Sequence, residues 1–157
     1  MKKGFTLIEL LVVVAITGMV ATVALSMYSN LQTSTQLTEN TTLIIQTLRT
    51  ARERSLAGFN NNASGVYFLL NSIPNKYTFY QGSSYAARNS AYDREAILDK
   101  SLILSTSDLV LASGNIDINF AQGTGTPSNI GTLTISNTTN NTNKKIRINK
   151  IGAIEEN

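Results

Sequence analysis

Apolar residues follow three successive regimes along this chain. From Phe5 to Tyr28 they run almost unbroken, and Glu9 is the only charge. As a helix that run would rise about 36 Å, enough to cross a hydrocarbon core of about 30 Å. From Asn30 to Ala57 there is neither proline nor glycine, and Leu37, Ile44, Leu48, Ala51 and Ser55 recur at helical spacings, with Ile45 and Arg52 beside them. This is one stripe of an amphipathic helix. Thr38, Glu39, Thr41, Thr42, Gln46, Arg49 and Glu53 are assigned to its other faces. Gly58 stands where a helix stop is expected, and Asn60-Asn61-Asn62 reads as a loop.

From Val66 onward the period changes to two. Val66–Leu70 and Lys76–Tyr80 read as short strands joined by a turn at Pro74-Asn75. Ser83 to Arg94 reads as a polar, aromatic loop. Leu102–Leu104 and Leu109–Leu111 are candidate strands. Ile116, Ile118 and Phe120 alternate with Asp117 and Asn119, the pattern of a half-buried strand. After a turn at Gly123–Pro127, Leu133 and Ile135 alternate with threonines. Asn137 to Asn143 is an Asn/Thr hairpin connection, then Ile146 and Ile148 alternate with Arg147 and Asn149. Gly152 precedes a last short stretch to Ile154. One long helix followed by six to eight short strands predicts an α+β fold, the helix packed on a small antiparallel β-sheet domain.

Glu9 sharpens the picture. A carboxylate inside a membrane-length run costs roughly 2.5–3.5 kcal/mol on insertion scales, so it marks function by default. Three readings meet at this segment: a secretory signal peptide, a plain anchor, and a prepilin-type leader cut between Gly4 and Phe5. A signal-peptide core normally carries no charge, and a plain anchor gains nothing from a carboxylate one turn into the bilayer. Cleavage after Gly4 instead frees an α-amino group on Phe5, close to Glu9. The amine of one subunit can then pair with the carboxylate of a neighbour inside an apolar bundle, where an ion pair is stronger than in water. Lys2 and Lys3 precede the run and the next basic residue is Arg49, which puts the N-terminus in the cytoplasm.

The stretch from Lys2-Lys3-Gly4-Phe5-Thr6 through Glu9 to Val13 resembles the processing site of type IV pilins and type II secretion pseudopilins. The resemblance implies cleavage after Gly4 by a prepilin peptidase, N-methylation of Phe5, and a role for Glu9 in assembly between subunits. It covers about the first 30 residues, and Gly18 also matches a glycine common in the family's membrane helix. Ser26 stands where many major pilins carry a helix-bending proline, which leans toward a pseudopilin or minor pilin. The later segments Leu48–Ser55, Ile116–Phe120 with Gly123, Leu133–Ile135 and Ile146–Gly152 are similar, more diffusely, to the GspH/FimT-like minor branch. That similarity implies a helix on two small sheets and a low-copy subunit. The expected division is a leader at 1–4, a transmembrane and assembly half-helix at 5–28, an amphipathic half at 29–58, and a globular β-rich part at 59–157.

Composition narrows the chemistry. The chain has no cysteine and no histidine, so a disulfide is excluded and an ordinary zinc site lacks ligands. The net charge of +3 includes Lys2 and Lys3; without them 11 basic side chains face 10 acidic ones, which gives little support to nucleic-acid binding. Lys144, Lys145, Arg147 and Lys150 nevertheless form a basic cluster, and some FimT-type proteins bind DNA during uptake. The bland alternative makes these residues the exposed side of a strand whose inward residues are Ile146 and Ile148. Asp93, Glu95 and Asp99 could hold calcium, but no loop of six or more oxygen ligands is visible, so a solvated charged loop is preferred. Tyr77, Phe79, Tyr80, Tyr85 and Tyr92 could stack a ligand, with a core role preferred for Phe79. Arg49, Arg52 and Arg54 read as a solvated or sheet-edge helix face. Ser55 and the many threonines have no base to activate them, so no enzyme is expected, and no cofactor or metal.

The functional expectation is a structural subunit of a type IV pilus-like or type II secretion filament. Its expected partners are other pilin or pseudopilin subunits, the prepilin peptidase, an inner-membrane assembly platform, and membrane lipid before assembly. It would begin as a single-pass inner-membrane protein and end in a periplasmic or extracellular filament. The alternative is a DNA-binding minor pilin of an uptake pilus.

Overall fold

The computed structural model describes Gly4 and residues 6–157, the side chains of residues 23–30 excepted. Helix α1 spans Leu7–Leu56, 50 residues, or about 75 Å. Ala57 caps it through its amide to the Glu53 carbonyl, and Gly58 follows in the left-handed region at φ 61°, where a side chain would be strained. Among the described residues no helix is long and apolar enough to cross a membrane. The run expected to do so includes Phe5 and the side chains of Leu25, Ser26 and Tyr28, which lie outside the described residues.

Nine antiparallel strands follow: β1 Ser64–Leu69, β2 Lys76–Gln81, β3 Arg94–Ile97, β4 Leu102–Thr106, β5 Leu111–Ala112, β6 Asn115–Phe120, β7 Gly131–Asn137, β8 Asn143–Ile148 and β9 Ile154–Glu156. They form a five-stranded sheet, β3-β2-β1-β6-β5, and a four-stranded sheet, β4-β7-β8-β9. The second half of α1 packs on both. Leu37, Ile44, Ile45, Leu48 and Ala51 share one core with Val66, Phe68, Phe79, Ile116, Ile118 and Phe120 of the first sheet and Leu102, Leu104, Leu133, Ile135, Ile146 and Ile148 of the second.

The expected stripe is buried throughout, and Ser55 with it. Thr41, assigned to another face, is fully buried as well. Its hydroxyl donates to the Leu37 carbonyl at 2.7 Å, so only its methyl meets the core. The stripe therefore reads 37, 41, 44, 48, 51, 55, a regular alternation of four and three.

Three strand expectations change. Arg94, placed in a loop, opens β3 against Phe79. Only Leu111 and Ala112 of the 109–112 region pair in a ladder, while Leu109 is buried in the core. Asn119 on β6 is 9 % exposed rather than solvated. The cause is a roof: the segment between Gly82 and Asp93 folds back over the face of the first sheet opposite the helix. Tyr85 in this roof stacks on Tyr67 at 3.8 Å and stands edge-on to Tyr80. The Arg88 guanidinium covers the other side of Tyr85 at 3.7 Å and pairs with Asp93 at 2.7 Å.

Under the roof lies a polar network. Tyr80 is fully buried; its hydroxyl donates to Asp117 Oδ1 at 2.6 Å and accepts from Asn119 Nδ2 at 3.1 Å. Asp117 Oδ2 accepts the Tyr85 amide at 3.2 Å. Burial first, and then the Asp117 carboxylate, push the Tyr80 phenol far above its ordinary range. Gly65 sits opposite Tyr80 on β1, and a Cβ there would lie 2.5 Å from the Tyr80 hydroxyl oxygen. The ring fits only because Gly65 has no side chain.

Carboxamides tie the two sheets together where a cysteine-free chain has no disulfide. Asn75 is 3 % exposed. Its Nδ2 donates to the Leu70 and Ser72 carbonyls, and its Oδ1 accepts from the amide of Leu104 on β4 at 2.8 Å. Asn129 exchanges bonds with both backbone groups of Val110. Each such group is satisfied in a buried place, as burial of an amide requires.

Candidate assembly site

The N-terminal site is built from the first turn of α1. Thr6 is its N-cap, with φ −80° and ψ 152°, and its Oγ1 accepts from the Glu9 amide at 3.4 Å. Glu9 is the third helical residue and the one acidic group of that turn. A carboxylate in the first turn is favoured by the positive end of the helix dipole. Thr6-Leu7-Ile8-Glu9 has the spacing of a capping box, a signal present in the sequence that singling out Glu9 alone passes over. Among the described residues beyond its chain neighbours, none has an atom within 4 Å of where a Cβ on Gly4 would stand. Lys2, Lys3 and Phe5 lie outside the described residues.

From Leu7 to Val20 the helix is bare. Leu7 is 82 % exposed and Val12, the most covered of the large apolar residues up to Val20, is 47 % exposed. Thr17 donates its hydroxyl to the Val13 and Val14 carbonyls, and Thr22 to Met19. These back-bonds hide the hydroxyls, so even the threonines present methyl groups outward. Among the described residues nothing lies within 4 Å of where a Cβ on Gly18 would stand.

Residues 1–25 match the prokaryotic N-terminal methylation motif. The chain therefore carries a type IV pilin-like N-terminus. No solved structure matches it. A pilin-like N-terminus implies a membrane-anchored precursor cut by prepilin peptidase, then a filament of pilin-like subunits. It points to a structural subunit rather than an enzyme.

The remaining candidate residues are spread over the β-rich part of this pilin-like chain. The basic cluster is divided by strand parity. Lys144 shares the inner face of β8 with Ile146 and Ile148 and pairs with Glu156. Lys145 and Arg147 point to the exposed outer face, opposite Thr134 and Thr132. Arg147 and Lys150 line an open cavity of about 720 Å³ with Asp108, Ile130 and Ile151. Parity with Ile146 was the sequence signal that separates Lys144 from the others.

The carboxylates once weighed for calcium are engaged separately. Asp93 pairs with Arg88, Glu95 with Lys76, and Asp99 accepts the amide and hydroxyl of Ser101, which hold its carboxyl below the usual range. Among the described residues no cluster of three metal-ligating side chains occurs. Of the aromatic set, Tyr77, Phe79 and Tyr80 are buried, Tyr85 is stacked in the roof, and Tyr92 is exposed. The helix arginines act as staples. Arg49 donates to the Ile154 carbonyl and Arg52 to that of Ile151, fastening the last strand to α1. Arg54 lies 5.1 Å from the ring centres of both Phe59 and Phe79.

Proposed function

We propose that this chain is a low-copy minor pilin or pseudopilin of a type IV pilus-like or type II secretion filament. One observation carries the reading: the methylation motif of residues 1–25 falls on a helix whose apolar residues from Leu7 to Val20 are bare, while its second half is packed. Such a surface is stable only in lipid or against similar helices. Burying one Leu or Val side chain contributes roughly 1.5–3 kcal/mol, so the ten large apolar residues exposed between Leu7 and Val20 dominate the energetics of assembly.

In this reading residues 5–28 hold the precursor in the inner membrane with the N-terminus cytoplasmic. The peptidase cuts after Gly4 and Phe5 is methylated. The assembly platform then lifts the subunit out of lipid. Glu9, poised on the first turn by Thr6, pairs with the Phe5 amine of a neighbour and fixes axial register. Among the described residues nothing stands against a side chain at position 4, so no demand for glycine comes from them. The demand then comes from the peptidase. Mass spectrometry of the natural protein tests this. The expected mature chain begins at Phe5 with one added methyl, and Gly4→Leu stays uncut. A mature chain that begins after Ala24, or still begins at Met1, overturns the proposal.

A second reading, DNA capture during uptake, has one supporting observation: Lys145, Arg147 and Lys150 are exposed on or beside one sheet face. It calls for duplex binding that weakens with salt and is lost when these three are replaced by glutamine, while Lys144→Gln has little effect. Absence of binding at low salt removes it.

A further inference from the structure

The end of the β-rich part that faces the bare half of α1 can be located from contacts. Ser64, at the start of β1, donates its amide to Ser55 Oγ at 2.8 Å, and Gln81, at the end of β2, donates to the Phe59 carbonyl at 2.8 Å. Both contacts lie at the C-terminal end of α1. Going back along β2, Phe79 meets Arg54 and Tyr77 meets Thr47, about two helical turns nearer the N-terminus. The loop 70–75, which precedes Lys76, lies further in the same direction. Two other loops are tied to it in series. Leu98 donates to the Asn75 carbonyl, and Thr138 donates to the Ser101 carbonyl. Loops 70–75, 98–101 and 137–142 therefore make a rim that looks along α1 toward its apolar half.

The rim is apolar where it protrudes. Ile73, at the tip of its loop, is 86 % exposed, and Ile97, which pairs with Lys76 at the end of β3, is 58 % exposed. An isoleucine this bare on a loop tip has no packing role in the fold. The rim's charges, Asp99 and Lys100, are adjacent and cancel. Its other exposed residues are mostly Asn, Ser and Thr, which suit hydrogen bonding to headgroups.

Chain length fixes how near lipid this rim must be. Leu37 is the first helix residue in the core, nine positions after the apolar run ends at Tyr28. A helix covers that interval in roughly 13 Å, and the headgroup layer on each side of a bilayer takes up roughly 5–7 Å of it. We propose that, before assembly, the rim rests on the outer headgroup layer with Ile73 inserted, so that the precursor waits in the membrane in one fixed orientation. This rests on the reading that residues 5–28 span the membrane. Because the rim carries no net charge, the contact is expected to be insensitive to ionic strength and to anionic lipid content.

The chain has no cysteine, so single labels can be placed cleanly. The full-length precursor is reconstituted in vesicles of phosphatidylethanolamine and phosphatidylglycerol, with a fluorescent label on Val14→Cys, Ile73→Cys or Asn61→Cys. Lipid-borne and aqueous quenchers are compared. The expected result is strong lipid quenching at 14, clear lipid quenching at 73, and only aqueous quenching at 61, on the far end of the domain. An Ile73→Ser change is expected to lower lipid quenching of a label on Lys100→Cys several-fold, with the circular dichroism spectrum unchanged. Quenching at 73 equal to that at 61, with 14 still in lipid, overturns the proposal and leaves the spanning reading intact. Shielding of 73 from both quenchers means that a second copy covers the rim, and overturns it too. Failure of lipid quenching at 14 overturns both.

Discussion

The two halves of α1 share one backbone geometry and have opposite surroundings. From Leu37 to Ser55 every third or fourth residue is shielded by the sheets, and the remaining faces are polar except for Leu43. From Leu7 to Val20 the apolar residues point in all directions and none is shielded. A helix with an apolar stripe needs one flat partner; a helix apolar all round needs to be surrounded. The first condition is met within the chain. The second can be met only by lipid or by other chains, so the difference divides folding from assembly along a single helix.

Substitutions that respect this division are the way to break it. The largest effect is expected for Glu9→Ala. Filament incorporation, read by shearing and immunoblot, should fall to background, while thermal unfolding of the β-rich part stays unchanged. Efficient incorporation of that variant would remove the role assigned to Glu9. Next, Leu48→Ala opens a cavity in the shielded half and should destabilise the full chain in detergent by about 2–5 kcal/mol in denaturant unfolding; Val14→Ala, in the bare half, should stay within about 0.5 kcal/mol.

Tyr80→Phe leaves Asp117 and Asn119 short of a partner and should cost about 1–3 kcal/mol at neutral pH. It also changes the response to alkali. The Tyr80 phenol is pushed up in the folded chain, so the folded state keeps a proton that the unfolded chain releases above pH about 10. Its stabilising share is complete below that pH and is lost as pH rises beyond it. The wild type should therefore weaken more steeply above pH about 10 than the variant, followed by near-ultraviolet circular dichroism. Equal slopes would contradict the buried network.

The smallest contrast is the sharpest. Thr17 and Thr41 make the same back-bond to a preceding carbonyl, one in each half. Thr41→Ala should cost about 1 kcal/mol through its lost methyl packing, and Thr17→Ala should leave stability within about 0.5 kcal/mol.

Much of this division was legible in the sequence. The long apolar run, the buried positions 37, 44, 48, 51 and 55, and the stop at Gly58 follow from spacing alone. Thr41 did not, because hydropathy counts its hydroxyl as polar when the helix has already consumed it. The roof over the first sheet was also hidden. The alternation in Ile116–Phe120 reports which residues face the helix, but it cannot report that a segment some thirty residues earlier will cover the opposite side. At the N-terminus the opposite happened. Gly4, Phe5 and Glu9 stand out by local spacing alone, and their expected partners are other molecules. The division of the basic cluster was available in the parity of β8 and needed only the register to be taken seriously.

Asn75 carries a consequence for how such a subunit ages. Fibre proteins locked by sulfur bridges fail when a reductant reaches them; this one is indifferent to thiols and exposed to a different clock. Slow hydrolysis of that single side-chain amide to aspartate would set a carboxylate against the oxygens of Leu70 and Ser72, and the same knot that joins the two sheets would begin to push them apart.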